Sequence, residues 1–282
     1  MRSVSVLAAA IGGSALVLWL APMLAEQMLP WLGAPQGNSA ALETWFTLLI
    51  FGPLLAIALT GGRWCRLNPL RLGQNRAFML TVGSAIGAFG ILAAAGLARM
   101  AGSLAPGEAD AEWSLLLWGS LVILFAAATE EVYFRGWLQP ELARNLGVPA
   151  AILLSALAFA ALHLIGGARG PVTLVNLVLG GLLFGLLAAQ GGGLAGAVAA
   201  HFAWNWTEQI ALGLDPNPGI GSFGALTDLD LAGPAIWGGS DEGLNASLGM
   251  TLALVALLVP MTILARASLA RPPERVSKPL PK

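Results

Sequence analysis

Long apolar stretches almost free of charge run through this chain, and they limit its possible folds more than any other feature. A bilayer core of about 30 Å is crossed by roughly 20 apolar residues in a helix, because every backbone N–H and C=O must be satisfied within the segment. On that measure eight stretches qualify, near 4–24, 44–60, 78–98, 113–134, 149–165, 172–190, 194–213 and 247–266. Of the 282 residues 57% are hydrophobic and 10% charged, and the mean hydropathy is +0.77, which excludes a water-soluble enzyme. The expected fold class is all-α, a polytopic transmembrane helical bundle of about eight spans. Arg2 and the apolar run after it also fit a signal peptide ending at Ala25, but its removal leaves the topology one span short.

The charges between spans orient the bundle, since short cytoplasmic loops carry the Lys and Arg excess. Arg2 precedes the first span. Arg63, Arg66, Arg71 and Arg76 fill the second loop, Arg135 and Arg144 follow the fourth span, and Arg266, Arg271, Arg275, Lys278 and Lys282 form the tail. The alternate loops are acidic: Glu26 and Glu43, then Glu108, Asp110 and Glu112, then Asp215, Asp228, Asp230, Asp241 and Glu242, with Arg99 and Arg169 as the only bases. Both termini are thereby predicted cytoplasmic. The chain divides into N-terminal transmembrane helices at 1–110, a helical core at 111–213, an extracytoplasmic loop at 214–246, and a last helix with a basic tail at 247–282.

A net charge of −1 gives no basic field for nucleic acid, so none is expected as a partner; the lipid bilayer is. The single Cys65 excludes an internal disulfide and is expected to pack. Trp31, Trp45, Trp64, Trp113 and Trp137 sit near predicted span ends, as interfacial anchors would. Gly83 with Gly87, and Gly181 with Gly185, make small-xxx-small faces for close helix packing. The 214–246 loop either covers a site or connects helices, and nothing in it looks catalytic.

Ionisable groups inside spans are expensive, about 2.5–3.5 kcal/mol at the bilayer centre on insertion scales, so each is a functional hypothesis. Span four ends in Thr129-Glu130-Glu131-Val-Tyr-Phe-Arg135, and the chain's two histidines, His163 and His201, both lie in spans. Glu131 and Arg135, four apart, share a helix face and suit an ion pair; Glu130 is turned about 100° away without that partner. His201 and Asn205 also share a face and can converge on one small group. Phe159, one turn from His163, shapes a wall. The Leu146-Gly-Val-Pro149 turn has almost equal numbers of residues between it and Glu130 on one side and His163 on the other, so an antiparallel hairpin brings those two to one depth.

Three readings follow from these residues: interhelical hydrogen-bonding glue in a non-catalytic scaffold, a proton relay or transporter pathway, and hydrolysis. In the last, a carboxylate near an imidazole deprotonates water while a second His and an Asn stabilise an oxyanion. A zinc site would need Glu130, His163 and His201 to converge from three helices, which spacing leaves open.

Together Glu130-Glu131-Val-Tyr-Phe-Arg135, Phe159-Ala-Ala-Leu-His163 and His201-Phe-Ala-Trp-Asn205 resemble the three motifs of the CAAX-protease and bacteriocin-processing (Abi) family of intramembrane proteases, the type II CAAX prenyl endopeptidases. The resemblance covers roughly 115–210. It implies an intramembrane endopeptidase acting on membrane-associated peptides or proteins. Glu130 would activate water with help from His163, His201 and Asn205 would form the oxyanion site, and Glu131 and Arg135 would support the geometry. It implies no required cofactor, although members have often been called metalloproteases, which leaves a divalent metal such as zinc open. Eukaryotic relatives cut prenylated C-terminal peptides and bacterial ones are associated with peptide maturation or self-immunity; the compact loops point to a bacterial plasma membrane.

Overall fold

In a computed structural model of the chain the described residues are 2–28, 40–107, 111–215 and 221–269. They form α1 (Arg2–Met28), α2 (Ala40–Trp64), α3 (Arg76–Met100), β1 (Leu104–Pro106), α4 (Trp113–Glu131), α5 (Gln139–Leu146), α6 (Val148–Gly166), α7 (Pro171–Gly191), α8 (Ala195–Trp206), β2 (Leu214–Asp215), β3 (Leu229–Leu231) and α9 (Leu248–Leu269). The bundle is all-α apart from one three-stranded sheet of short strands in the order β1-β3-β2, with β3 antiparallel to β1 and parallel to β2.

Seven helical segments among the described residues are long and apolar enough to cross a membrane. The expected eighth, at 194–213, is shorter: α8 has 12 residues and a π-helical turn, Thr207–Ala211, adds five. This segment nonetheless passes from one end of the bundle to the other. At its start the amides of Leu194 and Ala195 donate to the carbonyls of Arg71 and Leu72, and just past its end Leu212 accepts from Leu229 of β3. It can be short because it is interior. Ala195, Gly196, Ala197, Ala199 and Ala200 are buried against its neighbours, so its length answers to protein packing.

Loop contacts sort the connections onto two faces as the alternating charges require. On one face Arg144 donates to the carbonyls of Cys65 and Arg66, and Gln74 N–H to Gly191 O. On the opposite face β1 pairs with β3, the Ser222 amide donates to Glu43, and the Arg169 and Gly170 amides donate to Glu242. The arginine-rich loop and the acidic connections thus lie at opposite ends.

The fourth span does not stop near 134. A seven-residue π-helical stretch, Val132–Leu138, joins α4 to α5 without a break, so one helical run reaches from Trp113 to Leu146. Two residues read as lying at its end are therefore inside the protein. Arg135 is a buried group rather than a loop charge, and Trp137 is not an interfacial anchor but packs edge-on against Tyr133 with ring centroids 5.2 Å apart. Trp64 and Trp113 are exposed at helix ends, as anchors would be, Trp45 is at the margin of exposure, and Trp31 lies outside the described residues. Cys65 is buried.

Candidate active site

Both glutamates of α4 sit just ahead of the π-helical stretch, and the angular step between them sends them to different surroundings. Glu131 is fully buried. Its Oε1 accepts from Arg135 Nη1 at 2.9 Å and from His201 Nδ1 at 2.8 Å. Arg135 Nη2 donates to Gly181 O at 2.9 Å, and the guanidinium carbon stands 5.0 Å from the Phe159 ring centroid and 5.6 Å from those of Phe134 and Phe184. A buried charge is tolerable only when paired and hydrogen-bonded; this couple meets that through Glu131 Oε1 and both Arg135 Nη atoms, while Glu131 Oε2 and Arg135 Nε have no hydrogen-bond partner among the described residues.

His201 is oriented by the same group. Its ring stacks on Phe184 at 4.6 Å and 15°, and Nδ1 must donate to Glu131, because a carboxylate paired with arginine only accepts. Nε2 then points toward Glu130, with Oε2 3.8 Å away, beyond hydrogen-bonding distance. Among the described residues Glu130 Oε2 has no hydrogen-bond partner.

Glycines of α3 bring His201 to this position. A Cβ on Gly83 would run into the Gly196 carbonyl, one on Gly87 into the Ala200 carbonyl, and one on Gly90 into the Trp204 ring. Their absence lets α8 lie backbone-to-backbone against α3. On the other side Gly181 packs on Ala156 and offers its carbonyl to Arg135. The small-residue faces read from the sequence therefore set the depth at which α7 and α8 present the site.

A cavity of about 700 Å³ collects Glu130, His163, His201 and Asn205. The hairpin estimate brings Glu130 and His163 to one cavity, but the imidazole adjoining Glu130 is His201. His163 stands further along α6, with the Phe159 ring between the two histidines, 4.5 Å from His163 and 6.1 Å from His201 by centroids. Its Nδ1 lies 3.0 Å from its own helix's Phe159 carbonyl and donates there, leaving Nε2 unengaged by that bond.

From this cluster the cavity extends to the acidic end of the bundle, where Asp241, Glu242 and Asn245 of the long loop line it with Gly166–Ala168. The loop therefore covers part of the site as well as connecting helices. Partial burial works against charge on Glu242, but the Thr173 hydroxyl beside it, the amides of Arg169 and Gly170, and the Arg169 charge outweigh this and hold its carboxyl below the usual range. The sequence reading missed these loop residues, which carry no periodicity. It also missed Glu208, although Glu208 lies seven positions after His201 and so on its helical face.

Zinc was left open by the sequence. Among the described residues no group of three or more His, Cys, Asp and Glu is arranged to hold a metal ion, and both histidines already commit Nδ1 to protein partners.

Fold and site together define an integral membrane protein with a carboxylate- and imidazole-lined cavity inside a helical bundle. Residues 112–207, about a third of the chain, match the family described as Type II CAAX prenyl endopeptidase Rce1-like, so this segment is similar to the CAAX-protease peptide hydrolases. The matched segment runs from the start of α4 to the end of α8 and contains all the site residues read from the three motifs. Neither the comparison with curated proteins nor that with solved structures gives a match.

Proposed function

We propose that this protein hydrolyses peptide bonds of membrane-associated peptides or proteins with a water activated by Glu130, in a bacterial plasma membrane. One observation carries the reading: of the two adjacent glutamates, Glu131 is committed to Arg135 and His201, while Glu130 faces the cavity with Oε2 unpaired. A glutamate so divided from its neighbour can act as a base without losing a structural partner.

In the proposed reaction Glu130 takes a proton from water as the oxygen attacks the substrate carbonyl carbon. His201 Nε2–H and the Asn205 carboxamide donate to the oxyanion that forms. Donation from Nε2 while Nδ1 donates to Glu131 requires a doubly protonated imidazole, flanked on either side by a carboxylate. When the tetrahedral species collapses the C–N bond breaks, and Glu130 passes its proton to the departing amine. His163, across Phe159, assists by holding the water or the neighbouring substrate peptide. No prenyl group is required by these steps.

The test compares terminal peptides of membrane and secreted proteins in cells carrying the intact chain or Glu130→Gln at matched expression. Termini that depend on Glu130 identify the protease and its substrates together. Unchanged termini, with a Glu130-dependent proton or solute flux in sealed vesicles, would replace this reading with transport; chelation-sensitive cleavage restored by zinc would replace the metal-free mechanism.

A further inference from the structure

Glu208 is as buried as His201, at 4% exposure against 5%, yet among the described residues no hydrogen bond or ion pair reaches its carboxylate. It lines the same cavity as Glu130, His201 and Asn205. Positions 201, 205 and 208 fall on one helical face, and the π-helical turn that begins at Thr207 carries this face on toward the acidic end of the bundle. The cavity's charge is one-sided as well. Glu130, Glu208, Asp241 and Glu242 line it with the two histidines, and no Lys or Arg is among the described lining residues. Buried carboxylates are normally matched by a cation or donor, and nothing in the described protein supplies one to Glu208.

We propose that Glu208 is a specificity-determining residue that selects substrates carrying a cationic side chain, Lys or Arg, in the segment between the reacting bond and the acidic end of the cavity. This rests on the peptide-hydrolysis reading and adds to it a substrate class: apolar, membrane-associated peptides with a basic residue at a set distance from the cleaved bond. Seven helical residues separate Glu208 from His201, about 10 Å at 1.5 Å per residue. An extended peptide covers that length in about three residues at roughly 3.3 Å each. The ammonium or guanidinium would donate to the Glu208 carboxylate in the cavity, where water competes less well for it than at a surface.

The experiment uses the full chain in lipid nanodiscs and synthetic 20-residue apolar peptides in which one Lys is walked along the sequence, each paired with a norleucine peptide that lacks only the ammonium. Cleavage is followed by mass spectrometry, and equilibrium binding is measured on the Glu130→Gln chain. Lys at one register, about three residues from the cleaved bond, is expected to raise kcat/KM and affinity about tenfold or more, the scale of one charge-assisted hydrogen bond. Glu208→Gln removes the difference between paired peptides, and Glu208→Asp retains part of it. A Lys preference unchanged in Glu208→Gln overturns the proposal. So does the absence of a Lys preference in the intact chain, a result that does not depend on whether any variant folds. Peptides bound with a Glu208-dependent preference but never cut would keep the subsite and reject hydrolysis. Peptides cut without preference would do the reverse.

Discussion

Glu131 accepts a 2.8 Å hydrogen bond from His201 Nδ1 across 70 residues of sequence, and through that bond the ion pair of α4 orients an imidazole of α8. Arg135 donates to the same carboxylate oxygen and to Gly181 of α7, so three helices meet at one buried charge pair. The adjacent Glu130 is thereby left to the cavity. Each feature gives a measurable consequence.

Glu131→Gln removes the partner of a guanidinium with no side-chain exposure and weakens the acceptor for His201. An unpaired buried charge costs about 3–5 kcal/mol, so this variant should unfold well below the parent. Glu130→Gln, whose Oε2 has no hydrogen bond to lose among the described residues, should unfold near the parent while losing activity. Thermal unfolding in detergent compares the two, and equal midpoints would show that the Glu131–Arg135 couple is not structural.

Asn205→Ala should slow turnover by about two to three orders of magnitude with little change in KM, the loss that follows removal of one oxyanion donor. Steady-state kinetics on a substrate found through its Glu130-dependent terminus provides the measurement. An unaltered kcat would assign Asn205 to the cavity wall alone.

Gly87→Val places a branched side chain where even a methyl would meet the Ala200 carbonyl. Separation of α3 from α8 should cost at least the roughly 1–3 kcal/mol of an overpacked core and move His201 off Glu131. The same substitution at Gly96, where a Cβ would meet nothing within 4 Å, serves as the control. Equal unfolding midpoints and rates for the two variants would refute the packing argument.

Glu242 ties the long loop to the start of α7 through two backbone amides, with Gly170 N–H donating at 2.7 Å and Arg169 N–H at 3.0 Å. Its pKa is depressed on folding. The stabilisation it adds is therefore complete above the ordinary glutamate value of about 4.3 and is lost as pH falls through the lower folded value. Protease cleavage within 240–245 should become easier in that acid range for the parent, whereas Glu242→Gln should be equally susceptible above and below it. A parent loop that stays resistant below that range would separate the loop's hold from Glu242.

Much of this protein is legible from residue order alone. Apolar run lengths decide a membrane-spanning helical bundle, because unsatisfied backbone groups exclude most other structures there. The spacing of Glu131 and Arg135 decides their ion pair, since one helical turn dictates their separation. The three polar motifs point to the family, and their segment lies within the matched residues 112–207.

Tertiary structure decided which groups meet across helices. Sequence periodicity sets a side chain's direction around its own helix but says nothing of the neighbour it faces, so the imidazole beside Glu130 is His201, with His163 one aromatic ring away. Periodicity also assumes a uniform helix. The π-helical stretch at Val132–Leu138 breaks that assumption and carries the helix on past 134, with Trp137 buried inside the bundle. The long loop has no period to read. Its part in the site comes from where β3 and the Glu242 hydrogen bonds pin it, and those partners lie far away in sequence.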